Sequence, residues 1–163
     1  MMLRTLPLLR AVAAALFLCL GAPAGAADIT LSNAWMRPTR ASAPTAAVYL
    51  DVRTDVPLKI VGASSPMAQS AVIVLVTQNP DGSATERTVK EFDLAGGAQT
   101  RFALNGNHIQ LRDIQEDLRP GANVPLTIEF AEPKGDARHK IEIGVLVRGV
   151  LLPPADEPGA KTN

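Results

Sequence analysis

Apolar residues recur at every second position in several stretches of the chain. Over 46–52, Ala46, Val48, Leu50 and Val52 alternate with other residues. Val124, Leu126, Ile128 and Phe130 alternate with Pro125, Thr127 and Glu129, and Ile141, Ile143, Val145 and Val147 alternate with Glu142 and Gly144 among others. A period of two sends each apolar set to one face of a pleated strand. Residues 71–76, AVIVLV, are apolar throughout, the pattern of a strand covered on both sides. Residues 29–36 and 58–63 are further strand candidates, and no window carries a long stripe of helical period. Residues 111–118 offer at most a single helical turn.

Turn signals separate these runs: Pro44, Pro57, Pro66, Pro80-Asp81-Gly82, Gly96-Gly97, Asn105-Gly106, Pro120-Gly121 and Lys134-Gly135-Asp136. Asn105-Gly106, lying between Thr100–Leu104 and Asn107–Leu111, predicts a hairpin, because both residues tolerate positive φ. Many short strands at close spacing with Gly/Pro turns indicate an all-β sandwich or barrel.

The N-terminus follows a different logic. Arg4 and Arg10 precede the apolar run 11–22, Pro23 breaks it, and Ala24-Gly25-Ala26 supplies small residues for cleavage. This is the order of a secretory signal peptide, expected over residues 1–26, and the run is short of the ~20 apolar residues a membrane span needs. Cys19 lies in that run behind Leu16-Phe17-Leu18, whereas lipid attachment favours small residues just before the cysteine. The expected mature protein is therefore periplasmic, with no membrane insertion. It comprises a single β-domain over 27–150 and a disordered polar tail over 151–163, the latter reading LLPPADEPGAKTN.

The whole chain has 163 residues, with 16 basic and 16 acidic side chains. Balanced charge argues against nucleic acid as a partner. Loss of 1–26 removes Arg4, Arg10 and Cys19, which leaves a slight acidic excess and no cysteine. The soft metal donors then left are Met36, Met67, His108 and His139. Met36, beside Trp35 on a strand, reads as core filler. His139, in DARHK, reads as a solvated side chain in a charged turn.

Several segments, in order, resemble the periplasmic copper chaperone family PCuAC. They are Ala34-Trp35-Met36-Arg37, Ala46-Ala47-Val48-Tyr49-Leu50, Leu58 through Pro66 followed by Ala68, Ala95-Gly96-Gly97, Gly106-Asn107-His108-Ile109-Gln110-Leu111, and Leu118-Arg119-Pro120-Gly121 leading into Pro125 through Phe130. The resemblance spans about Ile29 to Val147. It implies a cupredoxin-like Greek-key β-sandwich or barrel. It also implies delivery of Cu(I) to extracytoplasmic copper sites, that of cytochrome c oxidase among them. The partner would be a periplasmic or membrane-bound copper protein.

The family holds Cu(I) with a His, then a Met, then a His-x-Met about 22 residues further on. Thioether and imidazole are donors that suit Cu(I), and a site without thiolate is spared cysteine oxidation. Only His108 of that set is present. Gln110 stands where the last Met belongs, Val74 best matches the first His, and stepping back from His108 lands on Thr85 or Glu86. Copper(I) binding is therefore expected to be weak or absent, with His108 the residual candidate ligand and Met67 a candidate for a displaced site. His108 also reads as a hairpin residue whose ring bonds a local carbonyl. Two functions stay open: copper handling on a degenerate site, or a metal-free interaction module on the same scaffold.

No enzyme is expected. Ser64 and Ser65 lack a nucleophile-elbow motif, Asp81 sits in turn chemistry, Gly96-Gly97 is followed by no phosphate-binding Lys-Ser/Thr, and Glu116-Asp117 is expected to face solvent.

Overall fold

The computed structural model describes residues 27–149, so the expected signal peptide and the whole of the expected tail lie outside the described residues. Ten strands follow in chain order: β1 (Ile29–Met36), β2 (Thr45–Thr54), β3 (Leu58–Ser64), β4 (Ala68–Gln78), β5 (Ala84–Val89), β6 (Phe92–Leu94), β7 (Gln99–Phe102), β8 (His108–Ile114), β9 (Asn123–Ala131) and β10 (Arg138–Val147). There is no helix among the described residues, and 111–118 forms none of the helical turn it could have held: β8 runs through to Ile114.

All ten belong to one sheet in the order β5-β4-β8-β2-β1-β10-β9-β3-β6, with β7 also paired to β2. The sheet folds over so that its inner face becomes the core, yet no ladder joins β3 to β4. A cleft lined by Gly62, Ala63, Val72 and Ile73 lies there instead. The sheet is thus all-β but not closed into a barrel.

The period-two pattern does what it predicts where only one face is buried. On β9 Val124, Leu126, Ile128 and Phe130 are all at most 2 % exposed, and on β10 Val145 and Val147 join them. Each fully buried side chain of this kind contributes about 1.5–3 kcal/mol. Met36 is wholly buried in the same core, as expected of a filler. β4 matches its all-apolar pattern at its middle, where the adjacent Ile73 and Val74 are both buried.

The strand β2 departs from simple alternation. Val48, Leu50 and Val52 face the core, but Tyr49 and Asp51 between them are 7 % and 5 % exposed. Trp35 on β1 and Arg101 on β7 lie over them from the two flanking strands. A bulge in β1 helps: the register slips between Ser32 and Trp35, and Asn33 takes φ 52°. Such a bulge re-aims side chains, and here it turns the Asn33 amide onto Asp51.

The Asn105-Gly106 hairpin does not form. The turn exists: Asn105 has φ 60°, and the Gly106 N–H donates to the Ala103 carbonyl. However, β7 and β8 do not pair with each other. Both run antiparallel to β2 along one edge, Leu50 opposite Phe102 and Val48 opposite Ile109. The six residues 103–108 therefore stand opposite Tyr49 alone, and 103–107 form a loop pushed out of one strand line. A turn fixes local φ, but pairing goes to the edge that buries more apolar surface. Here that edge is β2, which lets Phe102 and Ile109 reach the core at 1 % and 0 % exposure.

Candidate functional site

His108 opens β8 directly after this loop. Alternation along β8 sends Ile109 and Leu111 into the core, and so places His108, Gln110 and Arg112 on the outer face. The His108 Nδ1 lies 3.0 Å from the Gly106 carbonyl oxygen, which assigns the proton to Nδ1 and leaves the Nε2 lone pair free. That is the local carbonyl bond expected of a hairpin residue. It is also the outer hydrogen bond that orients metal-binding imidazoles, so the bond alone does not separate the two roles.

The neighbours of His108 do separate them. Val74 on β4 is its direct cross-strand partner. Directly opposed Cβ atoms lie about 4.5–5.5 Å apart, which is the reach a second imidazole needs. Spacing alone pointed to Val74, and the register places it there. The methyl groups of a side chain only 3 % exposed cannot bind a metal. Gln110 lies opposite Val72, and its Oε1 accepts from Arg112 Nε at 3.3 Å. Arg112 in turn donates from Nη2 to Thr88 Oγ1 on β5 at 3.2 Å. The position expected to hold a thioether is thus an amide tied into a polar chain.

On β5, sequence spacing could not separate Thr85 from Glu86. The register can. Glu86 pairs with Val76, which shares the outer face with Val74, whereas Thr85 pairs with Thr77 on the other face. Glu86 is exposed and is one of the groups whose charge reaches Tyr49. Burial pushes the Tyr49 phenol up; Arg37 pulls it down and Glu86 adds to the rise.

The other candidates lie elsewhere. Met67 precedes β4, where Ala68 pairs with Ile114 at the far end of β8 from His108. Six residues of strand separate them, about 20 Å. Met67 is half-buried, packs against the core, and accepts from the Gln115 N–H through its carbonyl. Met67 and His108 therefore do not form one site. His139 is not the solvated residue expected: its Nε2 is buried without a partner, and it lies opposite Phe130. Period two on β10 puts it on the core face with Ile141 and Val145, a placement the flanking charges in DARHK concealed. Among the described residues no group of three or more His, Cys, Asp or Glu is placed to hold a metal ion. The donors present do not fit a His/Met Cu(I) site.

One feature of this face was not anticipated from sequence. Trp35, Tyr49 and His108 stand in a row across β1, β2 and β8. The Trp35 and Tyr49 ring centroids are 4.7 Å apart, and those of Tyr49 and His108 are 6.2 Å apart, edge to face. Arg148 lies over Trp35 at 5.2 Å from the ring centroid. The single Trp and single Tyr of the chain are both spent here rather than in the core, and composition alone held that hint.

Solved structures with the same fold include copper-binding domains. The copper-bound PCuAC domain from PmoF2 superposes with a TM-score of 0.57 at 20 % identity, covering 74 % of this chain and 92 % of that domain. The apo PCuAC domain from PmoF1 gives 0.58 at 21 % identity, covering 74 % and 93 %. The solution structure of Cu(I)-bound DR1885 from Deinococcus radiodurans gives 0.53 at 20 % identity, covering 74 % and 80 %. No curated protein matches the chain. The LpqE-like family model matches residues 29–143, from the first residue of β1 into β10. A match over that span, on a sheet that superposes on PCuAC domains, makes this chain a member of the LpqE-like family built on the PCuAC fold.

Proposed function

We propose that this protein works outside the cytoplasm as a copper-chaperone-like scaffold with a reduced metal site, which holds Cu(I) weakly if at all and acts by contacting a partner protein. The observation that carries this reading is the cross-strand pairing of Val74 with His108, which leaves one imidazole where four donors would converge. A single imidazole gives no specific Cu(I) site, and amide oxygen is a harder donor than thioether. No catalytic role is assigned, in keeping with the non-enzymatic character of copper chaperones.

Export is supported by the leader pattern of residues 1–26 and by membership of the LpqE-like family, a family of lipoproteins. The residues before Cys19 are not small, so the soluble periplasmic form is the one proposed. No helix among the described residues is long and apolar enough to cross a membrane.

The test is competition for Cu(I) between the purified protein and a chromophoric chelator. The expected result is no stoichiometric transfer of copper to the protein, with any residual binding lost in His108→Ala. Stoichiometric uptake that survives against the chelator would refute the reduced site. Stoichiometric uptake that vanishes with His108→Ala would show instead a remodelled site in which other donors join His108.

A further inference from the structure

A second concavity on the same outer face takes no part in this reading. It is a cleft of about 290 Å³ whose walls include Asn33, Trp35, Asp51, Arg101, Leu104 and Arg148. Its floor is fully paired. Asp51 accepts from Asn33 Nδ2 at 2.8 Å and from Arg101 Nε at 2.9 Å. Asp51 is the one acid in the lining, and these two donors answer it.

Arg148 has no such answer. None of the ion pairs among the described residues includes it, and its guanidinium rests on the Trp35 indole. The Arg101 side chain is 70 % exposed, so its terminal N–H groups stay open beyond the bond to Asp51. The cleft therefore carries one uncompensated positive charge above an aromatic face. Its rim is apolar. Leu104, at 44 % exposed, lines it, and Leu146, at 45 %, is the cross-strand neighbour of Trp35. Single exposed leucines are ordinary. Leu104 in the cleft lining, Leu146 on the strand beside Trp35, and a guanidinium without an ion-pair partner resting on the indole together have the make-up of an interface centre, where Trp, Tyr and Arg carry most of the energy.

The size selects the kind of ligand. Small-molecule sites run about 300–1,000 Å³, so this cleft, at the bottom of that range, has room for a pair of side chains. We propose that it is a docking site for an extended segment of a partner protein in which an acidic side chain stands beside an apolar one. The carboxylate bridges Arg148 and the open N–H groups of Arg101. The apolar side chain packs against Leu104 and the Trp35 edge. The loop 103–107, which sequence reading took for a hairpin tip, has the task of presenting Leu104. This names the contact surface for the partner invoked above, and so rests on that reading, but its test is metal-free and leaves the copper titration untouched.

Trp35 is the only tryptophan in the chain, so its emission reports on the cleft directly. The full chain is titrated with acetyl-Gly-Leu-Asp-Glu-Leu-Gly-amide and with the same peptide carrying Asn and Gln for Asp and Glu. The acidic peptide is expected to change the emission saturably, with an affinity that falls as salt is raised. The neutral peptide should bind about tenfold more weakly, the loss expected for one charge-assisted contact. Arg148→Gln should weaken the acidic peptide by about the same factor, because no acid among the described residues pairs with Arg148. Leu104→Ser, at an exposed position, should weaken both peptides. Arg101→Gln is avoided because it would strip Asp51 of a partner. Equal binding of the two peptides, or an unchanged affinity in Arg148→Gln, overturns the proposal. So does acidic-peptide binding that emerges only when Asp156→Asn and Glu157→Gln are made in the full chain. That result would give the cleft to the protein's own C-terminal segment.

Discussion

Rebuilding the missing donors should create a Cu(I) site, and the cost can be worked from the burial of each position. The variant carries Val74→His, Glu86→Met and Gln110→Met together, with His108 retained. Val74 is 3 % exposed, so an unmetallated imidazole there costs about 1–3 kcal/mol. Glu86 is exposed and Gln110 half-buried, and such positions move stability by about 0.5 kcal/mol or less. The metal-free variant should therefore be less stable than the parent by about 1–3 kcal/mol. Cu(I) at about 100 to 1,000 times its Kd returns about 2.7–4.1 kcal/mol. Thermal unfolding should then show a copper-dependent rise in Tm on the order of 10 °C in the variant and little in the parent. Chelator competition supplies the stoichiometry. The register provides a control: Thr85→Met in place of Glu86→Met should fail, because Thr85 faces away from His108. A folded triple variant that takes up no copper would refute the placement of the site. Equal binding in the Thr85 version would refute the assignment of faces.

Two further outcomes follow from the fold. The Asp51 carboxyl is held below the usual carboxylate range, first by the Asn33 hydrogen bond, with Arg101 adding to it. A depressed folded pKa means the stabilisation is present above the unfolded value and lost as pH falls through the folded one, so Asp51→Asn should cost about 1.5–3 kcal/mol at pH 7 and flatten the acid limb of the stability curve below about pH 4. Urea unfolding across that pH range measures both, and an unchanged acid limb would count against the network. At Gly96 a Cβ would stand 2.7 Å from the backbone N of Pro57 and C of Val56, atoms that cannot swing aside, so Gly96→Ala should lose about 1–3 kcal/mol in thermal unfolding. Gly106→Ala, whose nearest neighbour is the Ala103 carbonyl oxygen at 3.5 Å, is the control that should lose far less.

How much of this was legible in the chain depends on what decides each feature. The strand β9 could be read almost residue by residue, because burial of a single face writes itself as a period of two, whereas the bulge in β1 switches its inward set from Ile29 and Leu31 to Ala34 and Met36. Which side chains stand at the positions where the resemblance would place soft donors could also be read, because that concerns which residues exist rather than where they sit. Val74, Gln110 and the absence of a methionine near Thr85 and Glu86 are facts of composition and spacing. Hydrophobicity also reads β2 poorly, since Tyr49 and Asp51 are buried by Trp35 and Arg101 from distant segments.

The amino-acid order by itself determined an all-β chain, the strand faces set by alternation, the turn at Asn105-Gly106, and the absence of Cys and the scarcity of His and Met over residues 27–149. Only the tertiary structure decided that β7 and β8 share the edge of β2 instead of pairing, that Glu86 and not Thr85 shares the sheet face of His108, that Met67 lies at the far end of β8, and that Arg148 covers Trp35 beside the Asp51 cleft. The division has a physical cause. Backbone preference and side-chain chemistry act within a few residues, whereas register and edge choice are settled by competition among all the strands for buried apolar surface, which no local stretch of sequence encodes.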